Sequence, residues 1–110
     1  MNTTKKQITL REAREIAISE AKGIIGEFLP KSGIGSILED EYVENEDCWI
    51  FFRNRQTNIP VPNRTIVAHW AFAVSRSGEY LTVPDNYGDA KAIAVQLRRL
   101  SAYYKSHDFP

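Results

Sequence analysis

Only one cysteine, Cys48, stands among the 110 residues, so no disulfide can close within the chain. That scarcity points to a reducing compartment rather than a disulfide framework. No apolar run approaches the roughly 20 residues that a membrane-crossing helix needs. The opening MNTTKKQITLREAREIA has two lysines but no apolar stretch behind them, which does not fit a secretory signal. The cytoplasm is therefore the expected location, with no membrane partner. Net charge is also missing, since 14 basic and 14 acidic residues cancel. A nucleic-acid binder normally shows a basic excess, so no nucleic-acid partner is expected.

Catalytic signatures are equally sparse. The two histidines are His69, in the middle of an apolar stretch, and His107, close to the end. His69 reads as a packed strand residue rather than a base. Asp40, Glu44, Glu46 and Asp47 lack the glycine and the ordered alternation of a calcium loop. The glycines of SGIGS precede an acidic segment rather than a helix, so they form no phosphate-binding loop. Cys48 has no positive neighbour in sequence to lower its pKa, and it reads as a small buried apolar residue. There is no G-x-S-x-G. The chain is not read as an enzyme, and no metal or cofactor is expected.

What is present suffices for one folded domain over residues 1–110. Hydrophobic residues make up 43% of the chain, enough for a core, so disorder is excluded. Thr9 and Glu12 have capping-box spacing. Ala13, Ile16, Ala17, Ala21, Ile24 and Phe28 then repeat at three- and four-residue steps, predicting an amphipathic helix that ends before Pro30. Four strands are predicted next: Ile37 to Val43, Cys48 to Arg53, Ile66 to Ser75 and Glu79 to Val83. The third is apolar on both faces and reads as central. Asp85 or Asp89 can cap a closing helix whose stripe is Ala90, Ile93, Ala94, Leu97, Leu100 and Tyr104. The expected fold is α+β: a four-stranded antiparallel meander in the order α-β-β-β-β-α. Both helices are expected to pack on one face, because each carries one stripe. The segment 54–65, with Pro60 and Pro62, is expected to be a long loop.

The densest feature is a run of acids. Glu39, Asp40, Glu41, Glu44, Glu46 and Asp47 fall within nine residues, directly before the apolar strand CWIFF. Without these six, the rest of the chain would carry a net charge of +6. Charge of that density is either well solvated or directed at something positive. The plain reading is an edge strand kept from joining other sheets by its charge. The sharper reading is a surface for a basic protein partner. Arg53, Arg55, Arg64 and Arg76 gather near the strand ends, and pairing with these acids across the hairpins is their simplest role. Arg53 and Arg55 complete the candidate partner-binding set.

The layout of REAREIA, EDCWIFF, WAFAVSRSG and LRRLSAYY resembles the YrhB-like group of small bacterial immunity-type proteins. The matching residues are Trp49 and Phe51, the turn Arg76, Ser77 and Gly78, and the pair Tyr103 and Tyr104. The segment NIPVPN stands where that group has a different, glycine-containing motif. The resemblance implies a protein without catalysis that binds and neutralises a cognate antibacterial toxin. Such a toxin, for example a nuclease with a basic cleft, would meet the acidic segment where phosphates otherwise lie. A monomer or weak homodimer is expected. The alternative is a housekeeping protein-interaction or regulatory domain of the same fold.

Overall fold

The computed structural model describes residues 7–25, 37–54 and 70–107. Helix α1 spans Leu10–Ile25, and strands β1 to β4 span Leu38–Glu44, Cys48–Arg53, Trp70–Ser75 and Tyr80–Pro84. Helix α2, Ala90–His107, closes the order. The strands form one sheet, β1-β2-β3-β4, with every neighbouring pair antiparallel. The α+β class, the element order and the meander are those expected.

Local chemistry sets the helix starts. The Thr9 amide donates to Glu12 Oε1 at 2.9 Å, and the Glu12 amide donates to Thr9 Oγ1 at 3.1 Å. This is the reciprocal capping box that the spacing predicts. At α2 the Ala92 amide donates to Asp89 Oδ1 at 3.0 Å, so Asp89 is the cap. Asp85 instead takes the Tyr87 amide at 3.0 Å and shapes the approach to the helix. The β3–β4 turn needs Gly78, whose φ of 97° lies in the left-handed region.

The placement of the helices corrects the expectation of one covered face. Ala13, Ala17 and Ala21 of α1 pack with Leu38, Trp49, Phe51, Phe72 and Val74. Leu100 and Tyr104 of α2 pack with Cys48, Ile50, Phe52, Ala71 and Ala73. Alternate residues of one strand point to opposite sides, so the helices cover opposite faces. The cause is the two central strands: β2 is buried from Cys48 to Phe52 and β3 from Ala71 to Ser75. Each strand therefore has two apolar faces, and one helix is needed for each. The small alanines of α1 leave room for Trp49, Phe51 and Phe72 beneath it.

The α2 stripe is rotated from the one expected. Ile93, Leu97, Leu100 and Tyr104 face the sheet, while Ala90 and Ala94 are exposed and Gln96 is buried. Trp70 is half-buried and Phe72 fully buried. Residues 55–65 of the expected loop, His69 and the start of the expected third strand lie outside the described residues, as does the His107 side chain.

Candidate functional site

The acidic segment forms β1, an edge of the sheet, and the turn into β2. Its register with β2 slips: Leu38 pairs with Arg53, but Tyr42 pairs with Phe51. Thus β1 advances four residues while β2 advances two, and the extra residues form a bulge. Arg14 of α1 takes up the carbonyls there, donating from Nη1 to Glu39 O at 3.1 Å and from Nη2 to Asp40 O at 3.0 Å. Its guanidinium also lies 5.1 Å from the Phe51 ring centre and 5.8 Å from that of Tyr42. One arginine therefore ties the bulge to α1 and covers the aromatic pair beside it.

The six carboxylates do not share one environment. Glu39 is half-buried, and Asp40 is exposed in the bulge. Glu41 turns toward the α2 side and accepts from the Tyr87 hydroxyl at 2.6 Å. Tyr87 itself rests edge-on against Phe52, 5.2 Å between ring centres. Glu44 receives Arg76 Nη2 at 2.9 Å. Glu46 and Asp47 each lie 3.7 Å from Lys105 Nζ of α2. The Glu46 side chain is 81% exposed, so its pairing is weak, whereas that of Asp47 is only 19% exposed. Of the acids at the end of β1 and in the turn, Glu46 projects furthest into solvent.

Two residues fix the turn. Asn45 Oδ1 accepts the amides of Asp47 at 2.9 Å and Cys48 at 3.0 Å, closing an Asx turn. Its Nδ2 reaches α2, donating to Ser101 Oγ at 2.7 Å and Leu97 O at 3.1 Å. Arg76, in the β3–β4 turn, also donates to Asn45 O. Its backbone amide donates to Asp47 O at 3.1 Å, and its carbonyl accepts the Ile8 amide at 2.8 Å. The turn is therefore bound to both helical sides of the sheet.

Arg53 is half-buried at the end of β2, where its backbone pairs with Leu38, and Arg55 lies outside the described residues. The structure thus sets Arg14 against the backbone of the acidic bulge and gives Tyr87, Arg76 and Lys105 to the carboxylates of Glu41, of Glu44, and of Glu46 and Asp47. The sequence reading placed none of these four in the site. Arg76 was visible as a hairpin-end arginine, and its bond to Glu44 is the cross-hairpin pairing anticipated there. Nothing in local spacing points to Arg14, Tyr87 or Lys105, because each arrives from a distant element.

Cys48 sits behind the turn, fully buried. Burial pushes its thiol pKa up to about 12, the neighbouring Asp47 charge adds to the rise, and Arg76 opposes it. The thiol is therefore protonated and unreactive at neutral pH. Among the described residues, no group of three or more His, Cys, Asp or Glu side chains could hold a metal ion. No helix among them is long and apolar enough to cross a membrane. Comparison with protein-family models, curated proteins and solved structures found no match to this chain.

Proposed function

We propose that the protein is a non-catalytic binding protein of the immunity type, whose acidic β1 edge and β1–β2 turn dock a basic protein partner. The observation that supports this reading most is the anchoring of the acidic segment. Arg14 holds the bulge, Arg76 holds Glu44 and the turn carbonyl, and Asn45 holds the turn to α2. A strand that merely keeps other sheets away needs charge but not fixed charge. A docking surface benefits from fixed charge, because ordering it before contact lowers the cost of binding. Clustered carboxylates also speed the approach of a basic partner.

A toxin domain from a competing bacterium fits the resemblance of the strand and turn motifs. The test is co-expression with the product of the neighbouring gene, read by survival of the producing cell and by co-purification. Protection and a complex are expected, with both weakened by Asp40→Lys combined with Glu46→Lys. Those two carboxylates are exposed and outside the strongest internal pairs, so the fold should survive the change. A complex unaffected by that variant would leave the acids with the role of a solvated edge.

A further inference from the structure

The sheet has a second edge, β4, opposite the acidic one. Edge strands are ordinarily blunted by charge, bulges or proline. Strand β1 has both a bulge and carboxylates. From Tyr80 to Val83, β4 has no charged side chain and keeps a regular register with β3, and only Pro84 marks its end.

The outward backbone groups follow from the pairing. The Ser75 amide donates to Glu79 O at 2.9 Å, so these two form a hydrogen-bonded pair. In an antiparallel ladder that type recurs every second residue, at Ala73 with Leu81 and at Ala71 with Val83. Tyr80, Thr82 and Pro84 therefore turn their backbone groups away from β3. Pro84 O is accordingly engaged from outside the ladder, by Gln96 Nε2 at 2.8 Å. Among the described residues nothing pairs with the outward groups of Tyr80 and Thr82.

Beside this edge runs a groove of about 550 Å³ between β4 and α2. Leu81, Val83, Leu100 and Tyr103 give it an apolar lining, and Arg99 stands on its wall. Arg99 is exposed, with no acidic partner among the described residues. Gln96 borders the groove as well, about nine-tenths buried, and its Oε1 has no hydrogen-bond partner among the described residues. The orientation of that amide is not arbitrary: Pro84 O can only accept, so the nitrogen must face it. An incoming donor is what the remaining oxygen lacks.

We propose that β4 and this groove dock an extended segment of a partner protein, which adds to the sheet as a fifth strand. Its backbone meets Tyr80 and Thr82, one apolar side chain enters the groove, and a carboxylate reaches Arg99. Glu79 and Asp85 flank the two ends of β4, so the segment's carboxylate belongs at its centre, opposite Arg99. The site is separate from the acidic edge and does not depend on it.

The probe is a short, capped, dye-labelled peptide of alternating valine and threonine with one central glutamate. Binding is read by fluorescence anisotropy and by backbone amide NMR shifts of the full chain. Saturable binding is expected, with the largest shifts at Tyr80, Thr82 and Arg99. Thr82→Pro removes an outward N–H without breaking the β3 ladder, and Arg99→Glu reverses the charge on an exposed helix position. Each should weaken binding by about tenfold. Asp40→Lys with Glu46→Lys should not weaken it, which separates this site from the acidic edge. No saturation at millimolar peptide, equal binding when the glutamate is replaced by lysine, or binding that survives both substitutions overturns the proposal. A concentration-dependent dimer abolished by Thr82→Pro also overturns it, by making a second copy the occupant.

Discussion

The guanidinium carbon of Arg76 lies 3.9 Å from the centre of the Trp49 ring, while Nη2 of the same side chain donates to Glu44 Oε1 at 2.9 Å. Glu44 and Trp49 are themselves register partners across β1 and β2. One side chain thus stacks on one member of a cross-strand pair and bonds the other. Arg76→Ala should lower stability by about 1–3 kcal/mol, measured as a shift in urea midpoint at constant slope. Arg76→Lys should recover only part of that loss, because an ammonium cannot stack flat on Trp49 while donating to Glu44 and Asn45 O. Full recovery by lysine would mean that charge alone matters here.

Asn45 makes a different prediction. Its oxygen serves the turn and its nitrogen serves α2. Asn45→Asp keeps the acceptor and replaces the donor with an oxygen facing Leu97 O. A loss of about 1–2 kcal/mol is expected at neutral pH, shrinking as the new carboxyl is protonated in acid. Thermal melts across the acid range check it. A loss independent of pH would place the damage in the turn alone.

These ties explain what was legible in the sequence and what was not. The capping box at Thr9 and Glu12 was readable because both partners sit within one helical turn. The four strands were readable from composition. The opposite placement of the helices was latent in CWIFF and AFAVS, which are apolar at odd and even positions alike. One stripe per helix is compatible with helices on the same face or on opposite faces, and the two apolar faces of β2 and β3 decide for opposite faces. The β1 bulge and the contacts of Asn45 were hidden for another reason. Asn45 bonds residues 52 and 56 positions away, and no local spacing encodes such a meeting. The partner-binding role we propose for the acids has no geometric signature in sequence, because charge density alone serves a solvated edge equally well.

Gly78 offers a clean backbone test. A Cβ built there would meet Ile16 and Ile8 atoms at 3.7–3.8 Å, which is ordinary contact. Space is therefore not the obstacle; the φ of 97° is. Gly78→Ala should cost about 1–2 kcal/mol through strain alone. Asparagine, which tolerates the left-handed region better, should cost less. Equal losses for the two would point to crowding against α1 instead.

Alkaline pH should weaken the fold through Cys48. Its thiol has an ordinary value of 9.0 and a folded value of about 12. Above the lower value the unfolded chain gives up this proton and the folded chain keeps it. The unfolded state then binds fewer protons, so stability falls with rising pH, by about 1.4 kcal/mol per pH unit for one group. The contribution is fully present below 9.0 and is lost towards about 12. Burial raises the Tyr80 hydroxyl in the same direction. The difference between the natural chain and Cys48→Ala therefore isolates the thiol. A Cys48→Ala chain with an unchanged alkaline slope would show that the thiol is not the group responsible.

Because the helices lie on opposite faces, the four-stranded sheet acts as a partition between two separate interiors. Phe72 fills one and Leu100 the other, with the backbone between them. Among the described residues the two clusters share no member, and the turn at Asn45 and Arg76 ties the two sides at one end of the sheet, through neither Phe72 nor Leu100. Truncations of Phe72 and Leu100 should therefore be nearly additive, with a double-mutant coupling of no more than about 0.5 kcal/mol. Such a chain can accumulate substitutions under one helix while the packing under the other stays as it was. Its two outer surfaces are then free to diverge independently on a common sheet.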